Sequence, residues 1–104
     1  MNCYIATDEN NNIIDCQVVH SHTNWGFSRF LHQVVMGFGV SSVNASVKDL
    51  TDTIDEDSQW IVVVEGQFMN FVGMIEQLGD GFLVLVNDSG HRVTCPTHLA
   101  RAFE

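Results

Sequence analysis

The spacing Cys16-x-x-x-His20-x-His22 is where this sequence comes closest to a reactive or ligating site. Thiolate and imidazole are both good zinc ligands, and alternate side chains of an extended strand share one face. Cys16, Val18, His20 and His22 therefore fall along one side of a strand, and a fourth ligand would have to arrive by folding, from Cys95 or His98. The competing reading is a partly buried cysteine followed by two polar histidines at a strand end, and it is favoured. No metal and no cofactor are expected, with Cys16, His20 and His22 the candidates should one bind. Cys95 and His98 could also be paired as nucleophile and base, but three cysteines and five histidines offer such pairs by number alone. There is no G-x-S-x-G, no phosphate-binding glycine loop and no H-E-x-x-H. The carboxylates fall in turns, where water keeps them ionised. The chain is expected not to be an enzyme.

The elements that would position these residues can be read from hydrophobic patterning. In the second half, Trp60–Leu78 and Phe82–Val86 are runs rich in Val, Ile and Phe, His91–Leu99 follows, and the three are cut by Gly79-Asp80-Gly81 and Asp88-Ser89-Gly90. That pattern predicts consecutive hairpins, which close most readily into a small antiparallel barrel. Ile61–Val64 and Phe82–Val86 are apolar on both faces, so their outer face must be covered, by a helix or by a second copy of the chain. Phe68 and Phe71 follow Gly66 in a loop, where apolar bulk needs a reason. Phe68 is expected to plug the core.

In the first half, Cys3–Thr7 and Ile13–His20 flank the turn Asp8-Glu-Asn-Asn-Asn12 and read as a hairpin. A helix follows over 24–38, capped by Thr23 or Asn24, with Phe27, Phe30, Leu31, Val34, Val35 and Phe38 at helical spacing. Trp25 and Met36 widen its apolar stripe, which predicts burial. Gly37 and Gly39 end it. Val40–Val47 reads as a short strand, 48–54 as a helical turn or loop, and Asp55-Glu-Asp-Ser58 as a solvated connector. The expected fold is α+β: a small ββα(β) unit over 1–58 packed with an antiparallel barrel over 59–104.

The stretch 64–78, Val64-Glu-Gly66-Gln-Phe68-Met-Asn-Phe71-Val-Gly73-Met-Ile75-Glu-Gln-Leu78, resembles the KOW motif, V-x-x-G-P-F-x-x-F-x-G-x-V-x-x-L. That motif opens the SH3-like barrel at the C-terminus of the transcription elongation factor NusG, and Gly90-His-Arg92 and Pro96-Thr-His-Leu99 echo its later G-R and P-V-x-L. The likeness covers residues 60–99 and departs at Gln67, where proline is usual, at Arg92, one residue late, and at the tight turn from Gly79 to Gly81. Val18–Asn24 with the helix after it is similar to the first strand and helix of the NusG N-terminal domain. The resemblance implies a regulatory module that binds proteins of the transcription or translation machinery, such as termination factor Rho or a small-subunit ribosomal protein. It implies contact through the barrel loop, with Phe71 as anchor, Met69, Asn70 and Phe68 beside it, and Arg92 on a nearby turn.

Charge restricts the partners. Thirteen acids against four bases give a net charge of -9, with -6 in residues 1–58 and -3 in the remainder. Both halves repel a phosphate backbone, so direct nucleic-acid binding is not expected. No apolar run is long enough to span a bilayer. The N-terminal residues do not read as a secretory signal, and three cysteines without C-x-x-C spacing fit reduced thiols, so a cytoplasmic location is expected. Two other readings compete. One is an acidic nucleic-acid mimic, such as phages encode. The other is a structural homo-oligomer, here a homodimer, whose apolar strands pack across a two-fold axis.

Overall fold

The computed structural model describes residues 1–38, 43–58 and 60–104, so the expected start of a strand at Val40 and the helix end at Gly39 lie outside the described residues. Among the described residues the protein is an α+β chain of antiparallel strands with one α-helix, and it divides into compact units at Met1–Asp49 and Leu50–Glu104.

In the first unit β1 (Asn2–Thr7) lies between β2 (Ile13–Val19) and β3 (Asn44–Thr51), antiparallel to both. The β1–β2 turn is closed by Asp8. Its Oδ1 accepts the N–H groups of Asn10 and Asn12, both at 2.9 Å, while Asn11 sits at φ 64°. The helix α1 (Asn24–Phe38) starts at Thr23, whose Oγ1 accepts the Gly26 N–H at 2.9 Å and whose carbonyl accepts the Phe27 N–H at 3.0 Å. Its buried residues Phe30 and Val34 pack on Tyr4 and Ala6 of β1, with Phe27, Val43, Ala45 and Val47 around them. The face of the helix expected to cover the strands of the second half is thus used on β1. The rest of its apolar stripe is not buried: Trp25, Met36 and Phe38 are 73%, 75% and 59% exposed, which corrects the expectation drawn from the width of the stripe.

The Tyr4 hydroxyl ties β1 to the start of the helix. It donates to the Thr23 carbonyl at 3.3 Å, accepts the Thr23 N–H at 3.2 Å, and lies 3.2 Å from His22 Nδ1. Residues 48–51 are strand rather than a helical turn. Lys48 and Asp49 pair with Cys3 and Asn2, and Leu50 and Thr51 pair with Phe103 and Ala102, so the backbone has ladder partners along its whole length. The expected connector at 55–58 is a turn inside the second unit, with the Ser58 N–H on the Asp55 carbonyl at 3.1 Å.

The second unit strings β4 (Ile61–Val63), β5 (Val72–Leu78), β6 (Phe82–Val86) and β7 (Arg92–Pro96) into an antiparallel meander. A 3-10 turn (Thr97–Leu99) then leads into β8 (Ala100–Phe103), which returns to pair with β4. The β5–β6 turn contains Gly81 at φ 82°, and the Gly79 N–H donates to the Phe82 carbonyl at 2.9 Å, as in a short hairpin loop ending in a left-handed residue. The β6–β7 turn repeats the device of the first hairpin: Asn87 Oδ1 accepts the N–H groups of Ser89 at 3.0 Å and His91 at 2.9 Å, and Gly90 takes φ 83°. Ile61, Val63, Leu83, Leu85, Val93, Cys95, Ala100 and Ala102 form the core of the unit. Val62 and Val64 are also buried, so Ile61–Val64 is covered on both faces as expected, whereas the outer side of β6 is not, with Phe82 exposed and Val84 and Val86 half-buried.

Candidate functional site

The loop from β4 to β5 is braced from inside by backbone hydrogen bonds. The Met69 N–H donates to the Gly66 carbonyl at 3.2 Å and the Phe71 N–H to the Phe68 carbonyl at 3.0 Å, making two successive turns. The Val63 N–H donates to the Phe71 carbonyl at 2.9 Å, and the Asn70 N–H to the Val63 carbonyl at 2.9 Å, so the loop closes on β4. The Val64 N–H is taken by the Leu99 carbonyl at 2.8 Å, which ties the loop's first leg to the 3-10 turn. Gly66 at φ 91° and Asn70 at φ 74° supply the two left-handed conformations that such tight closure demands.

This geometry reverses the expected roles of the two aromatics. Phe68, expected as the core plug, is 40% exposed at the loop tip, and Met69 beside it is 48% exposed. Phe71, expected as the presented anchor, is half-buried and packs on the core of the unit. The left-handed turn at Asn70 reverses the chain just before Phe71, and the ladder bond to Val63 sets that residue in line with β5. Its ring covers Gly73: a Cβ at Gly73 would lie 3.1 Å from Phe71 Cε1 and 2.7 Å from the Val86 carbonyl oxygen.

Beside the loop lies a cleft of about 150 Å³, lined by Val63, Glu65, Gly66, Gln67, Phe68, Thr94, Cys95, Pro96 and Leu99. Its volume matches engineered apolar cavities of about 150 Å³ that admit benzene. Glu65 is exposed and gives its rim a negative charge. Burial pushes the Cys95 thiol up from its ordinary value, so in the cleft wall it stays a neutral, apolar group. His98 is exposed, and its carbonyl accepts from the Arg101 guanidinium at 2.9 Å.

The remaining sequence candidates are placed elsewhere. Arg92 is ion-paired with Glu76 at 2.7 Å and does not line the cleft. The pair is exposed, and it holds the Glu76 carboxyl below and the Arg92 guanidinium above their ordinary values, chiefly through the side-chain hydrogen bond. Cys16 lies against Cys3, while His22 turns to Tyr4 and His20 is exposed. Among the described residues no three His, Cys, Asp or Glu side chains gather in a way that could hold a metal ion. Sequence reasoning missed the wall made by Thr94, Cys95 and Leu99. The Pro96-Thr-His-Leu99 segment was visible as a motif, but nothing in it showed that Leu99 would meet the 64–71 loop.

No helix among the described residues is long and apolar enough to cross a membrane. No protein-family model, curated protein or solved structure matches this chain.

Proposed function

We propose that the chain is a non-enzymatic protein-binding module, and that residues 60–103 are an SH3-like barrel of the KOW type with the 64–71 loop as its contact element. The observation that carries the reading is the pair Phe68 and Met69, exposed at the tip of a loop braced by backbone bonds beside a cleft of about 150 Å³. A braced loop presents its side chains without further ordering cost, and an aromatic with a flexible methionine neighbour makes an effective anchor. The meander β4 to β7, the 3-10 turn and the return of β8 to β4 support the barrel. The negative rim at Glu65 and the net charge of -9 favour a partner that offers an apolar side chain flanked by Lys or Arg. The resemblance to NusG-type barrels makes proteins of the transcription or translation machinery the first to try.

The test is a titration of the purified protein with termination factor Rho and with small-subunit ribosomal protein, using the parent and Phe68→Ala. The parent should bind one of them, and the variant should bind more weakly by about 2 kcal/mol while its melting temperature falls by no more than about 8 °C. Equal binding by parent and variant would remove the loop from the interface. Binding to neither, combined with saturable binding to a basic nucleic-acid-binding protein, would bring the acidic mimic forward.

The exposed Trp25, Met36 and Phe38 of α1 favour a second reading, self-association through the helix. Arg29 lies over the Trp25 ring at 5.6 Å. Light scattering at micromolar concentration separates the two, because Trp25→Ala abolishes a helix-mediated dimer and leaves a loop-mediated complex intact.

A further inference from the structure

Cys3 and Cys16 lie on neighbouring strands, with Cys3 opposite Val18 and Cys16 opposite Ile5, so the two thiols form a diagonal pair on one face of the β1–β2 ladder. Their sulfurs are 2.7 Å apart, and both residues are buried, Cys3 fully and Cys16 to all but 8%. A disulfide requires about 2.05 Å between sulfurs, so a shift of a few tenths of an ångström in two side chains brings them to bonding distance. Neither residue has a part in the protein-binding reading, and neither lines the cleft.

We propose that Cys3 and Cys16 are an oxidisable dithiol, closed to an intramolecular disulfide by a small-molecule disulfide of the glutathione type, which locks the β1–β2 hairpin. Cys16 is the entry thiol, because it is the more exposed of the two and β2 is flanked on one side only among the described strands. Its deprotonated sulfur attacks one sulfur of oxidised glutathione, forming a mixed disulfide and expelling one glutathione thiolate. Cys3, already beside it, loses its proton and attacks the Cys16 sulfur, expelling the second glutathione thiolate. Two electrons pass from the protein to the oxidant, and the two thiol protons end on two molecules of reduced glutathione. The hydrogen bond with Cys3, and then burial, push the Cys16 thiol well above its ordinary value. The exchange therefore proceeds slowly, through brief openings of β2, and for the same reason the closed bond is screened from reductants.

The bond would join positions thirteen apart in sequence. A closed loop of that length restricts the unfolded chain, and it fixes β1, the strand that carries Tyr4, against β2.

The full chain is incubated for hours with oxidised or reduced glutathione, quenched in acid, alkylated and cleaved after glutamate. Cleavage after Glu9 and Glu56 places Cys3 and Cys16 on separate fragments, 1–9 and 10–56. The expected result is a single species joining the two fragments, present only after oxidation and dissolved by reduction. It should be accompanied by an intact mass lowered by two hydrogens and a melting temperature raised by about 10 °C. In Cys3→Ala the resolving thiol is gone, and glutathione should remain trapped on Cys16. Recovery of the two fragments unlinked from folded, oxidised parent protein overturns the proposal, whether or not Cys3→Ala folds. So does a link that runs through Cys95, and a linked form that melts no higher than the reduced one overturns the lock.

Discussion

Phe71→Ala is the substitution that most directly tests the geometry of the 64–71 loop. Full removal of a buried phenylalanine ring costs about 3–5 kcal/mol. Phe71 is half-buried, packing on the core on one side and covering Gly73 on the other, so its truncation should cost about 2–3 kcal/mol. In a unit of this size each 1 kcal/mol moves the melting temperature by about 4–8 °C, so the transition should fall by about 10–20 °C. Phe68→Ala removes a ring that is 40% exposed at a loop tip, and should cost about 1 kcal/mol or less. The assay is a pair of thermal melts followed by circular dichroism, with urea titrations to convert midpoints to free energies at fixed temperature. A Phe68→Ala variant less stable than Phe71→Ala would refute the reasoning, because it would mean that Phe68, not Phe71, faces the core.

Two further outcomes follow from the first unit. Tyr4→Phe removes the hydroxyl partner of the Thr23 N–H and carbonyl and should cost about 0.5–1.5 kcal/mol, with amide exchange at Thr23 faster than in the parent; unchanged exchange there would remove the hydroxyl from the helix start. Asp8 accepts backbone hydrogen bonds from Asn12 and Asn10 and a side-chain bond from Asn12, which hold its carboxyl below the ordinary value. A depressed folded-state pKa stabilises the turn above the unfolded-state pKa, and the contribution is lost as pH falls through the folded-state pKa. An NMR titration of the Asp8 side chain should give a midpoint below that of a free aspartate, and a midpoint at or above it would contradict the hydrogen bonds.

The hairpins and the helix were legible in the sequence because their signals are local. Thr23 ahead of a helical stripe, Gly79-Asp80-Gly81 and Asp88-Ser89-Gly90 each dictate a backbone path within a few residues. The inversion of Phe68 and Phe71 was not legible. Two aromatics three apart in a loop carry no periodicity, and their sidedness is set by the left-handed turn at Asn70 and the bond from Val63 to Phe71. The outward exposure of Trp25 and Met36 was hidden for a related reason, since an apolar stripe states what a helix could bury and not how much neighbouring surface is supplied. The contact between Cys3 and Cys16 depends on the β1–β2 register, which shifts at Ala6/Thr7 and cannot be counted from the turn alone.

The two five-residue turns at 8–12 and 87–91 are the same object built twice. In each, the first side chain accepts the N–H groups two and four residues on, the fourth residue is left-handed, and the first N–H closes on the fifth carbonyl at 3.0 Å. One copy starts with aspartate and the other with asparagine, so a single atom, oxygen or nitrogen, decides whether the accepting side chain carries charge, while the second residue, Glu9 or Asp88, is acidic in both. The two pieces should be interchangeable as cassettes. Grafting 87–91 into the first hairpin would keep the strands in step while moving its acid sensitivity out of the first unit, and the reverse graft would carry that sensitivity into the second.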